Sequence, residues 1–265
     1  MTDIAAAIAP TRGGSTDPAV RALTVDDISA ALADGLRDFR AAPLFGLLIG
    51  LVYTVAGNAL FWIAASFDLV FLAYPLAAGF ALVAPFAAVG VYETSRRMGL
   101  GESLALGDLI GSVPPHARRE LAYMALVTLF GMIVWIYAAG FTYALFFGLR
   151  PLEADDIVSM IVTTPRGVFF LVAGNILGAV LATVIFSVSV VSYPMLLDRD
   201  VDFVTAMITS IRAVLAAPLV MLGWGVFIGT MLSIAILPMF LGLVVVLPWL
   251  GHASWHLYRR AVPAA

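Results

Sequence analysis

The chain has 265 residues, of which 62% are hydrophobic and 12% charged, with a formal net charge of −3. A soluble domain is about half apolar and about a quarter charged, so this balance excludes an ordinary water-soluble fold, and the mild acidity excludes an electrostatic nucleic-acid binder. There is no cysteine, which removes disulfides and thiolate metal sites.

The apolar residues lie in long uncharged runs that are continuous rather than alternating. That pattern predicts spanning helices and not a barrel. Residues 1–22 are polar and carry no apolar signal core, so they are expected to form a disordered tail ahead of one transmembrane domain over about 23–260. Thr24 to Arg40 reads as an amphipathic surface helix, with Thr24 as cap, Asp26 and Asp27 in the first turn, and Ile28, Leu32, Leu36 and Phe39 on one face. A first span follows at about 44–66 and holds Asn58. The second, at about 69–92, contains Pro75 and Pro85, which are expected to kink or break it. Glu93 then stands three and four residues before Arg96 and Arg97, the spacing of surface ion pairs. Glu102 to Val113 is a third candidate surface helix, ended by Pro114-Pro115, and His116 comes next. The third span, about 121–147, leads into an acidic loop from Arg150 to Arg166. The fourth, about 168–193, holds Asn175.

At Asp202 the sequence returns to its beginning. Ala216-Ala217-Pro218-Leu219 repeats Ala41-Ala42-Pro43-Leu44, and without a gap Asp202, Ala206 and Arg212 fall on Asp27, Ala31 and Arg37. Phe203, Met207, Ile211 and Val214 take the places of Ile28, Leu32, Leu36 and Phe39. One unit, a surface helix followed by two spans, is therefore expected to recur. The fifth and sixth spans occupy about 212–234 and 237–257, with Pro248 inside the last. The fold expected is an all-α membrane protein of six transmembrane helices arranged as three hairpins, each preceded by a cytoplasmic amphipathic helix. The surface helices are expected either in the headgroup plane or as lids packed under the bundle.

All 14 basic residues are arginines. In the six-span arrangement twelve fall on one side and only Arg150 and Arg166 on the other. The positive-inside bias then puts both termini of this multi-pass protein in the cytoplasm, and the all-arginine usage suits a bacterial genome, so a bacterial cytoplasmic membrane is expected.

Few residues offer chemistry. His252 and His256 stand four apart on the last helix and share a face, which suits two imidazoles on one metal. His116 is the remaining histidine and is expected on the same side, so a three-histidine metal site is one reading. Anchoring of the helix end among headgroups by His, Trp and Tyr is the other. Asn58 and Asn175 are the amides within spans, suited to interhelical hydrogen bonds or to a polar pathway. No carboxylate, lysine or arginine falls in mid-span, which argues against ion-coupled transport. Gly46/Gly50, Gly174/Gly178 and Gly225/Gly229 have the spacing that lets helices cross closely.

The stretch Tyr193-Pro194 through Asp198-Arg199-Asp200-Val201 to Gly251-His252-Ala253-Ser254-Trp255-His256-Leu257-Tyr258-Arg259 resembles a domain-of-unknown-function family of proteobacterial six-helix integral membrane proteins. The resemblance implies an inner-membrane protein of unassigned role and supplies no catalytic residues. Some members carry a cytochrome c oxidase subunit I label, which this sequence contradicts, because its three histidines all fall at the expected cytoplasmic edge. No cofactor and no enzymatic activity are expected. The expected role is an accessory or assembly factor for a membrane complex. The alternatives are a transporter or channel for a small or apolar solute, and a metal- or haem-handling protein. The expected partners are the lipid bilayer together with other membrane proteins or further copies of the chain, and no nucleic acid.

Overall fold

The computed structural model describes residues 18–67, 73–82, 84–104, 113–148, 159–161 and 163–263, and every regular element among them is an α-helix. In chain order these are α1 (Val25–Ala41), α2 (Pro43–Ser66), α3 (Ala73–Leu82), α4 (Ala84–Ala87), α5 (Val89–Leu100), α6 (Pro115–Phe147), α7 (Pro165–Ser189), α8 (Ser192–Asp198), α9 (Phe203–Ala216), α10 (Pro218–Ile236) and α11 (Leu243–Ala261).

α1 starts where its cap places it. The Thr24 hydroxyl accepts from the Asp27 amide and the Asp27 carboxylate accepts from the Thr24 amide, a reciprocal pair that satisfies two orphan donors of the first turn. Arg21 adds a 2.6 Å ion pair to Asp27. That hydrogen bond, with those from Thr24, outweighs desolvation and holds the Asp27 carboxyl down at about 2. The same logic opens α9, where Asp202 accepts from the Thr205 amide at 2.9 Å. The joints from α1 to α2 and from α9 to α10 are also alike. Ala42 (φ −133°, ψ 57°) and Ala217 (φ −147°, ψ 66°) are both buried, and each is followed by a proline at the first helical position.

Four stretches are long and apolar enough to cross a membrane: Pro43–Ser66, Pro115–Phe147, Pro165–Asp198 and Pro218–Ile236. The third and fourth reach further than the sequence runs suggest, because α6 begins at Pro115 and α7 is continued by α8 to Asp198. At 33 residues α6 is about 50 Å long, more than a hydrocarbon core requires. Of the expected second span, α3, α4 and α5 are described, while residues 69–72 and 83 lie outside the described residues. Pro85 has no N–H to give to the ladder, but the backbone bonding continues from α4 into α5, with the Ala88 amide donating to the Ala84 carbonyl at 2.9 Å. Tyr53 donates to the Phe80 carbonyl at 2.5 Å near this segment. α5 then runs on to Leu100 and ends on Gly101 in the left-handed region, φ 68°. Of the third expected surface helix, residues 102–104 are not helical and 105–112 lie outside the described residues. Most of the Arg150 to Arg166 loop and the 1–17 tail also lie outside them.

α11 is the helix around which the others pack. It is buried along most of its length, against α1, α2, α5, α8 and α10. Pro248 lies inside it without ending it. Glycines of α2 cover that point. A Cβ on Gly46 would lie 2.9 Å from the Pro248 ring, and one on Gly50 would lie 2.5 Å from the carbonyl oxygen of Val244, the acceptor that Pro248 cannot use. Gly57 faces the Phe240 ring in the same way, and Gly35 of α1 faces the backbone of Ala253. α7 is the opposite case: its apolar residues Val168, Phe169, Val172, Ile176, Val180 and Val184 point outward, as a lipid-facing helix requires.

The two ends of the described chain meet. The Arg21 amide donates to the Ala261 carbonyl at 2.9 Å, and Arg199 holds the carbonyls of Val262 and Pro263. Around this junction α1, the C-terminal end of α5, α8 and the end of α11 form a polar layer at one end of the bundle. Its ties include Arg260 to Asp34 at 2.5 Å and Arg259 to Asp198 at 2.8 Å.

Candidate functional site

The polar layer encloses a cluster that joins three helices. Asp38 comes from α1, Ser95 from α5, and His252 and His256 from successive turns of α11. Ser95 Oγ donates to Asp38 Oδ2 at 2.7 Å and lies 2.7 Å from His252 Nδ1. His256 Nε2 lies 2.7 Å from the same Asp38 oxygen. Asp38 reaches inward because Ala31, Gly35 and Asp38 share the buried face of α1, and Gly35 lets that face settle on the backbone of Ala253.

Proton accounting fixes the arrangement. A serine has one hydroxyl hydrogen, and here Asp38 takes it. His252 must then donate its Nδ1–H to Ser95, which leaves the Nε2 lone pair facing inward. That Nε2 has no hydrogen-bond partner among the described residues, and His252 is fully buried. Desolvation works against the Asp38 carboxylate. The hydrogen bonds from His256 and Ser95 nevertheless hold its pKa below the usual carboxylate value. Serine, histidine and aspartate are the residue types of a hydrolytic triad, but the order differs. In a triad the imidazole lies between hydroxyl and carboxylate. Here the hydroxyl lies in the middle, only 2% exposed, and bridges its two neighbours instead of being presented to a substrate.

The histidines therefore sit differently from both sequence readings. His252 is an interior residue and not a headgroup anchor. His256 is partly exposed and bonded to Asp38. His116 is not brought to them. It lines a separate open cavity of about 430 Å³ with Pro115, Arg119, Glu120, Asp200 and Asp202. Glu120 is already engaged there by Arg119 and by the Phe203 amide. Among the described residues no group of three or more His, Asp or Glu side chains could hold a metal ion. Glu93 pairs with both Arg96 and Arg97, at 2.7 and 2.9 Å, but it does so from the interior with 1% exposure.

The two amides have different places. Asn58 donates to the carbonyls of Thr54 and Met239, at 3.0 and 2.8 Å. Together with Thr54, which donates to the Phe240 carbonyl at 3.0 Å, it fastens the turn in which Met239 and Phe240 have positive φ. Asn175 donates to the Leu171 carbonyl at 2.8 Å and borders a second cavity. That cavity is an apolar groove of about 420 Å³ between α3, α6 and α7, with Pro75, Trp135, Tyr143 and Phe170 in its walls. Trp135 Nε1 closes one side by donating to the Pro75 carbonyl at 2.8 Å. Gly140 and Gly174 also line the groove, and a Cβ on either would meet nothing within 4 Å.

Asp38 and Ser95 were not singled out from the sequence. The available signal was a carboxylate on the small-residue face of α1, in register with Ala31 and Gly35. No curated protein and no solved structure matches the chain. One family model does, and its limits differ from those of the resemblance read from the sequence: it includes Tyr193 to Asp198 but ends before Gly251 to Arg259. Over residues 73–198, from α3 to the end of α8, the chain matches the family described as predicted integral membrane protein (DUF2189), in keeping with the four long apolar stretches of the fold.

Proposed function

We propose that the protein is a six-span component of a bacterial cytoplasmic membrane, with both termini cytoplasmic, that acts as a non-enzymatic accessory or assembly factor by docking a membrane helix of a partner protein. The observation that carries this reading is the groove between α3, α6 and α7. It is apolar, and two of the glycines in its walls, Gly140 and Gly174, are not used in packing among the described residues. Small residues left open on a membrane surface suit the close approach of another helix. The six-span count is supported by the α3–α5 segment and by α11, which supplement the four long helices, and by the meeting of the chain ends. The matching caps and joints of α1–α2 and α9–α10 support an internal repeat as the origin of the architecture.

The test is photo-crosslinking in living cells from a benzophenone side chain placed at Ile136 or Leu171, in the groove, and at Val226, outside it. The reading expects one membrane protein to be captured from both groove positions, not from Val226, with capture lost in Gly174→Leu. Capture of only lipid or a small apolar molecule from the groove would overturn it in favour of a carrier.

A further inference from the structure

The repeat places α1 and α9 at corresponding positions, and their inward faces agree. Ala31 and Ala206, 175 residues apart, are each 0% exposed, and Gly35/Ser210 and Asp38/Ala213 are likewise buried in both helices. With the burial register shared, the outward faces can be compared position by position. On α1 the outward residues are Ser29, Ala33 and Arg40, with Leu36 half-buried. The corresponding residues on α9 are Val204, Ile208 and Leu215, with Ile211 in place of Leu36, and all four are exposed. At 100° per residue these four fall within about 60° of one another, a narrow stripe along the helix.

α9 is thus inverted relative to a helix lying on a protein in water. Its buried residues are mostly small or polar, Ala206, Thr209, Ser210 and Ala213 with Val214, and the Ser210 hydroxyl oxygen accepts from the Val191 amide at 3.1 Å. Its outward stripe is branched aliphatic, with the exposed Arg212 along one edge. Nothing among the described residues covers that face. It also does not stop at the end of the helix. Leu215 at 70% exposure is followed by Leu219 at 88%, and then by Val226 along α10, one of the helices long and apolar enough to span. The stripe is continuous with surface that an integral membrane protein presents to acyl chains.

We propose that the Val204, Ile208, Ile211 and Leu215 face of α9 is immersed in the acyl–headgroup boundary of the lipid bilayer, while the corresponding face of α1 remains in water. α9 is then a lipid-bound flange that continues the α10 surface sideways along the leaflet, and α1 is a lid held on α11 by Asp34, Asp38 and Gly35. A helix bound in this way buries its apolar side roughly 5–10 Å into the boundary.

The absence of cysteine makes the test direct, because single introduced cysteines carry the only label. Nitroxides at Ile208→Cys and Leu215→Cys on α9, Ala33→Cys and Arg40→Cys on α1, and Val226→Cys as the spanning reference are compared in phosphatidylethanolamine/phosphatidylglycerol vesicles. Collision with apolar oxygen is measured against collision with a water-soluble nickel chelate. The expected result is an oxygen-to-nickel ratio at 208 and 215 severalfold above that at 33 and 40, and approaching that at 226. Nickel access at 208 and 215 equal to that at 33 and 40 would place the face in water and overturn the proposal. Exclusion of both reagents would also overturn it, by showing a second protein or a second copy over the stripe. The two α9 labels are read independently, so loss of folding in one leaves the other decisive.

Discussion

Ser95 has one hydrogen to give and two polar neighbours to satisfy, and this sets the energetic ranking of the cluster. Ser95→Ala leaves the His252 Nδ1–H inside the protein without an acceptor and removes one donor from Asp38. Stranding a buried polar group in this way costs about 1–3 kcal/mol. His252→Leu removes the donor together with the already unpartnered Nε2, and Ser95 keeps its bond to Asp38. We expect Ser95→Ala to lower the melting temperature in detergent clearly, and His252→Leu to lower it less or not at all. The reverse ranking would mean that the imidazole carries an interaction beyond these bonds. His252 and His256 were visible in the sequence as a pair with shared-face spacing. Their partners were not, since Asp38 and Ser95 are 214 and 157 residues from His252 and only tertiary packing brings them near.

Glycine divides the elements into those that touch and those that do not. Gly35 and Gly50 lie under backbone atoms of α11, where a Cβ would come within 2.5 Å. Gly229 of α10 faces open space. Gly35→Ala and Gly50→Ala must push α11 away, at about 1–3 kcal/mol each for overpacking. Gly229→Ala is expected to be neutral or slightly stabilising, because alanine is the better helix former by roughly 1 kcal/mol. Chemical or thermal denaturation of the three variants in one detergent checks the contrast, and equal effects would refute it. Helix positions were largely legible from hydropathy, the caps at Thr24 and Asp202 and the repeated Ala-Ala-Pro-Leu, whereas the entries at Pro115 and Pro165 lie before the starts read at about 121 and 168. Which side of α9 would face inward was not legible. The sequence face of Phe203, Met207, Ile211 and Val214 lies between its buried and exposed sides, because a periodicity argument assumes that apolar residues seek the protein, and a bilayer removes that assumption.

At the scale of the whole molecule, the meeting of Arg21 with Ala261 requires both ends of the described chain to lie at one face of the bundle. Joined to the arginine distribution, this predicts that reporter fusions at both termini are active only as cytoplasmic reporters. A periplasmic signal from either end would break the six-span reading. The groove at α3, α6 and α7 had no counterpart in the sequence reading, beyond Pro75, Asn175 and the glycine pair at 174 and 178 noted separately. A cavity is a property of elements already packed, and no local pattern encodes it.

The hydrogen bonds from Thr54 and Asn58 to the Phe240 and Met239 carbonyls, and from Trp249 to Leu32, each span more than 180 residues. A ribosome delivers the glycine face of α2 well before the helix that covers it. Until residues 240–248 have been made, Gly46, Gly50 and Gly57 of α2 stand bare. The molecule is thus latched by residues 239–249, and a chain cut just before them would leave open the very seam that they close.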